Sequence, residues 1–388
     1  ALEAEGILVR GNFSPEKGNQ WCDRQMLSRI HRVRIRQSRF TVSPVPHPDF
    51  MRFLFHWQGI TRNPPLQEAS GLAFILEQLE GFEAPARSWE REILPARLLH
   101  YDPAWMDQLC LSGRFAWLRI YGRKTRTPSI ATIGISLVKR RNLSLWEGLG
   151  TSEHIMEELS STAHALLMCL RNNGALFFDD LLKASGLIAS QAEKGILELI
   201  ARGLLHADGF SGLRTLLLPE LQRQRFQKRS MSAMEESGRW NLLKRPPDPN
   251  LEAEIREATL NLALETWLKR YGIIFKSLIA REESSLPWSE LMSLLRRKEA
   301  RGEIRSGRFI SGVEGQQFAH PEAAEELSRM SAQKKDGTMV LLSARDPLCL
   351  PGIFTPSFSL PQISGNRVAY RDGIPIALRR AGKIEFLT

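Results

Sequence analysis

LIARGLLHADGF, running from Leu199 to Phe210, decides how this chain is read. An apolar helix end meets Gly203, a short strand follows, and an apolar residue, Phe210, closes the run seven positions past the glycine. Three other stretches repeat it: LEAEGILVRGNF (Leu2 to Phe13), LCLSGRFAWLRI (Leu109 to Ile120) and KEARGEIRSGRF (Lys298 to Phe309). Their glycines are Gly6, Gly113 and Gly302, each followed two residues on by Leu8, Phe115 or Ile304. Glycine directly after a periodic apolar helix is the usual left-handed cap, because only glycine enters that region without a Cβ clash. A helix, a glycine cap and a strand that turns back describe the recognition helix and wing of a winged-helix unit. Recurrence at intervals of about 100 residues implies an array of small domains, not one large core.

Working outward, the expected fold class is α+β: tandem winged-helix units followed by a small β-barrel or sheet. Residues 1–14 read as the end of a winged-helix domain, so the chain is expected to be a piece of something longer. Residues 15–62 read as a helical connector, with helices over 23–39 and 50–57 around Pro44, Pro46 and Pro48. Residues 63–145 form a winged-helix-like unit with helices near 68–80 and 103–112. Residues 146–240 carry the clearest winged helix and a basic connector. Its third helix is expected over 191–201, capped by Ser190 with Glu193 at N3, and its wing pairs Leu204–His206 with Leu213–Leu218. Residues 250–330 give another such unit, built on a long helical region over 251–281 and a helix over 288–301. From 335 to 388 alternating apolar runs separated by Asp372-Gly373 and Ala381-Gly382 read as a β-meander, part of a β-barrel.

The chain has 388 residues, 43% hydrophobic and 25% charged, the composition of an ordinary globular protein. Its formal net charge of +10 makes a polyanion the favoured partner. The four cysteines, Cys22, Cys110, Cys169 and Cys349, lie far apart without a CxxC pair, which argues against a disulfide framework or a zinc knuckle and for a reduced, cytoplasmic setting. No run is apolar enough for a membrane span.

The search for chemistry is mostly negative. The sequence has no GxxxxGK[ST] phosphate loop, no DExx box, no HExxH and no GxSxG, and its eight histidines never fall in ligand spacing. No catalytic residue, no metal site and no cofactor site in this chain is proposed from the sequence. Gln316-Gln317 reads as a strand position. Three basic clusters remain. Arg29, Arg32, Arg36 and Arg39 form a stripe on one helical face, each able to take a phosphate bidentately; the alternative is a solvated face. Trp117 sits among Arg114, Arg119, Arg123 and Lys124, the mixture of stacking ring and cations that holds single-stranded nucleic acid; the alternative is a core tryptophan with basic neighbours. Arg239 and Trp240 end a basic linker that includes Arg223, Arg225, Lys228 and Arg229.

Several phrases resemble one family. They are QWCDRQMLSRIHR (20–32), Phe50 to Gln58, APARSWEREILPARLLHYDP (84–103), GRW (238–240), RYGIIF (270–275), Trp288 to Phe309, EGQQFAHPEA (314–323), and SARDPLCLPGIFTP through GNRVAYRDGIPIA (343–377). Together these resemble, in order and over nearly the whole chain, the Lhr (large helicase-related) proteins, bacterial superfamily 2 ATP-dependent helicases. The resemblance implies a place after the two RecA-like motor domains, in the C-terminal part of the helicase core. It implies 3′→5′ translocation on single-stranded DNA, unwinding of duplexes including RNA–DNA hybrids, and a role in DNA repair, with ATP and magnesium held by the motor domains. It also implies a tryptophan that stacks on the tracking strand, matched here to Trp117. Tandem winged helices with a β-barrel also occur in DNA glycosylases of the AlkZ type, whose catalytic Gln-x-Gln or Gln-x-Asp has only Gln222-Arg223-Gln224 and Gln58 as candidates here. A glycosylase and a protein-interaction scaffold are therefore the alternatives to a strand-gripping module.

Overall fold

The computed structural model describes residues 2–3, 5, 7–13, 18–27, 29–30, 43–120, 133–149, 159–218, 234–243, 249–282, 286–354 and 360–387. The glycines behave as their positions require. Gly113, Gly203 and Gly302 have φ of 74°, 68° and 76°, and each ends a helix and releases a strand. Gly6 lies outside the described residues.

The chain opens with a hairpin of β1 (Leu8–Gly11) and β2 (Gln20–Asp23). Helix α1 spans His47–Trp57, beginning earlier than its apolar run because Pro48 fits a first helical turn, where no amide donor is required. The unit that follows has α2 (Glu68–Gln78), β3 (Glu83–Pro85), α3 (Pro103–Leu111), β4 (Phe115–Leu118) and β5 (Gly134–Lys139). Its strands lie in the order β3-β5-β4, all antiparallel.

A second unit repeats that plan with α4 (Ser161–Asn173), α5 (Phe178–Ser185), α6 (Ala189–Ala201) and β6 (Leu205–Ala207). The Ser160 hydroxyl accepts the Ala163 amide and starts α4, and Gly186 in the left-handed region stops α5. Two expectations fail here. Helix α6 starts at Ala189, because extended Ile188 makes the turn earlier, and the Gln191 side chain, not Glu193, accepts from the Ile188 amide at 3.4 Å; Ser190 is inside the first turn. Residues 213–218 are not a wing strand: Ser211–Leu216 form helix α7. The partner of β6 is instead β7 (Trp240–Leu242), which also bridges to Leu176. A short leucine-rich segment such as LRTLLL reads equally as strand or helix, and the strand that arrives from beyond the connector takes the pairing edge.

The third unit has α8 (Pro249–Tyr271), β8 (Ile273–Ile274), α9 (Trp288–Ala300), β9 (Arg305–Gly307) and β10 (Gln317–Ala319), with strand order β8-β10-β9. Helix α8 is shorter than the region expected, since Gly272 at φ 67° ends it and turns the chain into β8. The first and third units thus place the first strand beside the last, with the strand that leaves the glycine cap outermost; in the second, the Leu176 bridge to β7 stands in for the first strand. After α10 (Pro321–Ala332), strands β11 (Met339–Ser343), β12 (Arg367–Arg371), β13 (Ile374–Arg380) and β14 (Lys383–Phe386) form a four-stranded antiparallel meander. It is an open sheet, not part of a barrel: β14 is an exposed edge with no strand beyond it among the described residues.

Two apolar cores result. One joins the first and second units; the other joins α1, the third unit and the final sheet. Strand β4 belongs to both, because side chains alternate across a strand. Phe115 and Trp117 enter the first core, while Ala116 and Leu118 enter the second. A strand covered on both faces has no open side, and that decides the fate of the tryptophan.

Candidate nucleic-acid interface

Trp117 is fully buried and its indole Nε1 donates to the Gly209 carbonyl at 2.8 Å, while Phe210 and His206 meet the ring edge-on. The ring therefore presents no face on which a base can stack. Trp240 is likewise fully buried, in the same core. Arg119 is also inside: its Nε lies 3.9 Å from the Glu83 carboxylate, with both side chains under a tenth exposed. The core alternative, not the stacking one, holds for Trp117, and Arg119 and Trp240, expected on the binding surface, are buried as well. Arg29 is exposed on helical backbone; Arg32, Arg36, Arg39, Arg123 and Lys124 lie outside the described residues.

Arg114 and Arg239 remain at the surface, and the fold adds cations to them that no sequence run announces. Helix α2 presents Glu77, and three cations converge on that one carboxylate: Lys139 Nζ at 3.2 Å, Lys269 Nζ at 3.2 Å and Arg114 Nη2 at 3.4 Å. Partial burial pushes the Glu77 pKa up, but hydrogen bonds and charge from Lys139 and Lys269 outweigh that and hold it below the ordinary range. Beside it, Asp208 takes Arg140 Nη2 at 3.1 Å and Arg239 Nε at 3.0 Å. Burial raises the Asp208 pKa and the Arg239 hydrogen bonds lower it further than that, so it too stays ionised. The two groups are linked through the backbone: Arg140 follows Lys139 at the end of β5, and its amide donates to the Arg114 carbonyl at 3.1 Å. Five cations thus share two carboxylates. A guanidinium that gives one edge to a carboxylate keeps other N–H donors for a phosphate, and Arg114 and Arg239 are each more than half exposed.

Lys269 leads from this strip into a cleft of about 720 Å³ lined by Trp57, Phe74, Gln78, Leu268 and Ile304 as well. Phe74 is 45% exposed, with the Arg62 guanidinium 5.9 Å over its ring, and the Trp57 indole Nε1 donates to the Lys269 carbonyl at 2.9 Å. Phe74, Glu77 and Gln78 are three and four residues apart on α2, so one helical edge supplies both the strip and the cleft. Sequence reasoning missed Lys139, Arg140, Lys269, Trp57 and Phe74. The only signals were the LysArg pair closing β5 and the aromatic run of α1.

Gln317 and Gln58 are structural, while Gln222 and Gln224 lie outside the described residues. Gln317 accepts the Phe309 and Ile310 amides and donates back to the Ile310 carbonyl, pinning the loop before β10. Buried Gln58 donates to the Arg270 carbonyl and accepts from Arg97. Among the described residues no group of His, Cys, Asp and Glu is placed to hold a metal ion, and no helix is long and apolar enough to cross a membrane.

Fold and surface together define an array of winged-helix units in which five cations gather on two carboxylates. Residues 45–137 and 253–339 each match the family model described as "Large helicase-related protein, winged-helix domain". The Lhr helicase/probable uracil glycosylase of Mycolicibacterium smegmatis is 27% identical over 374 residues, covering 89% of this chain and 24% of that protein. The Lhr helicase/uracil glycosylase of Escherichia coli is 25% identical over 377 residues, covering 87% of this chain and 24% of that protein. The chain carries two Lhr winged-helix domains and is homologous to Lhr helicases over most of its length. It spans about a quarter of the length of these relatives.

Proposed function

We propose that this chain is the strand-gripping part of an Lhr-type ATP-dependent DNA helicase, acting with RecA-like motor domains that hold ATP and magnesium outside it. The supporting observation is the convergence of Arg114, Lys139 and Lys269 on Glu77 alone, continued by Arg140 and Arg239 on Asp208, which leaves a net positive strip on the surface. Translocation needs a hold that ignores base identity, and cations that displace counterions from phosphates supply one. The substrate of this reading is single-stranded DNA or the DNA strand of an RNA–DNA hybrid, in the service of DNA repair.

The reading is tested by titrating the chain against fluorescent single-stranded and duplex DNA at two salt concentrations. Salt-sensitive binding with preference for single strands is expected; no binding at low salt overturns it. Both relatives also carry glycosylase in their names. Release of uracil from a uracil-containing oligonucleotide by this chain would favour that second reading.

A further inference from the structure

We propose that fully buried Arg270 is a positioning residue for the strand grip: it fixes the third unit against the first in the register that brings Lys269 and Lys139 together on Glu77. The inference rests on the strand-grip reading above and names the side chain that assembles its surface. The strip is composite, because Glu77, Arg114 and Lys139 belong to the first unit while Lys269 belongs to α8 of the third. Its geometry therefore exists only while the two units hold one relative position.

Three observations carry it. First, Lys269 and Arg270 are consecutive on a helix, about 100° apart, so that one faces the strip and the other enters the interior. Arg270 Nη2 donates to the Glu80 carbonyl at 2.6 Å and the Leu79 carbonyl at 3.5 Å, where α2 ends, and Nη1 donates to Glu282. Carbonyls at the end of a helix lack partners within it and favour a cation. The guanidinium also lies 5.3 Å over the Phe82 ring. Second, the residue that Arg270 grips reaches on to the strip. The buried Glu80 carboxylate accepts the Lys139 amide at 3.2 Å, so Arg270 sets Glu80 and Glu80 sets Lys139, one helical turn from Glu77. Third, the same two residues of α8 are held from the other side. Gln58 Nε2 donates to the Arg270 carbonyl and Trp57 Nε1 to the Lys269 carbonyl, both at 2.9 Å. Gln78 Nε2 donates in turn to the Trp57 carbonyl at 2.8 Å, which closes a loop from α8 through α1 to α2.

Burial opposes the Arg270 charge, but Glu282 outweighs burial and keeps the guanidinium charged. A buried ion pair adds little net stability, because desolvation offsets most of the Coulombic gain. What the guanidinium adds is direction. Its planar fork meets two carbonyls and a carboxylate at once, whereas a lysine ammonium is a point charge on a flexible stem. Arg270→Lys therefore keeps a charge beside Glu282 and loses the fixed register, which separates positioning from charge.

The test uses the full chain and its Arg270→Lys variant, each with and without Lys269→Gln. A labelled single-stranded oligonucleotide is titrated at several salt concentrations, and the Glu77 carboxyl carbon is titrated with pH by NMR, its signal assigned through Glu77→Gln. In the wild type, Lys269→Gln should flatten the salt slope by about 0.7 and weaken binding about eightfold at 50 mM salt. In Arg270→Lys the slope should already be flatter by that amount, so that Lys269→Gln adds nothing further. The Glu77 midpoint, pushed up by burial but held below the ordinary carboxylate range by Lys139 and Lys269, should rise towards that range in Arg270→Lys. A folded Arg270→Lys variant with a wild-type slope, an unmoved Glu77 midpoint and the full effect of Lys269→Gln overturns the role of Arg270 and leaves the grip standing. A midpoint that rises while the slope stays at the wild-type value keeps Arg270 as the residue that assembles the strip and refutes the strand as its ligand. Should Arg270→Lys not fold, the same cycle runs with Glu282→Gln, which retains the guanidinium fork and withdraws the charge that anchors it. A loss shared with Lys269→Gln then supports the proposal, and full additivity overturns it.

Discussion

Replacing Glu77 by glutamine should tighten single-strand binding, a sign opposite to that of most interface mutations. The carboxylate neutralises part of the charge on Arg114, Lys139 and Lys269, and its lowered pKa means that it is ionised at neutral pH. Five cations over two carboxylates leave about three uncompensated charges, so with a slope of about −0.7 per phosphate contact on single strands the logarithm of affinity should fall with the logarithm of salt at about −2. Glutamine adds one charge and steepens the slope by about 0.7. Referred to 1 M salt, where the ionic contribution vanishes, that is about eightfold tighter binding at 50 mM and about threefold at 200 mM. Loss of these partly exposed ion pairs should cost at most about 1 kcal/mol of stability, which a urea melt would separate from the binding effect. Fluorescence anisotropy with a labelled oligonucleotide at four salt concentrations reads the slope. An unchanged slope, or weaker binding in a folded variant, would mean that phosphates do not lie on this strip.

Further expectations concern the buried groups. Trp117→Ala should destabilise the chain by about 3–5 kcal/mol, since it empties a fully buried site between two units; with Trp117→Phe, where the loss is about 1–3 kcal/mol because the Gly209 carbonyl loses its indole donor and keeps only the longer bond from Ser237 Oγ at 3.4 Å, strand affinity of the folded protein should stay at the wild-type value, and a drop in affinity alone would restore a stacking role. Burial, followed by the nearby Arg140 charge, pushes the His206 pKa down to about 4. The unfolded chain therefore binds the extra proton first, so this contribution to stability is complete above about pH 6.5 and is lost as pH falls towards 4, a change of about 3 kcal/mol. Comparing urea midpoints of the wild type and His206→Asn at pH 7.5 and 4.5 isolates it, and parallel curves would refute it. Asp346→Ala should cost about 3–5 kcal/mol by leaving Arg97, bound to both Asp346 oxygens at 2.7 and 2.9 Å, as a buried unpaired cation; a melting temperature within a degree of wild type would show that Gln58 and the Ile93 carbonyl hold Arg97 unaided.

What the sequence disclosed is what local physics controls. Gly113, Gly203 and Gly302 could be read because a left-handed cap is set by a few neighbouring residues, and each glycine then fixes where a strand begins. The meander of β12 to β14 was legible for the same reason, in Asp372-Gly373 and Ala381-Gly382. Trp117 was misread because its surroundings are not local: whether a strand has one covered face or two depends on residues such as Gly209 and Phe210, about 90 positions away. The basic strip hides for the reciprocal reason. Its cations come from the residue before β4, the end of β5 and the residue after it, α8, and the residue before β7, and none stands in a long run of like charge. Clustering along the chain is poor evidence for a phosphate surface, since adjacent residues on a strand point to opposite faces and only half of a charged run can meet one polymer. Cations gathered from distant segments onto one face, and left in excess over the carboxylates that hold them, are better evidence. Here that excess lies at Glu77 and Asp208, and the strand should be sought there before it is sought at any tryptophan.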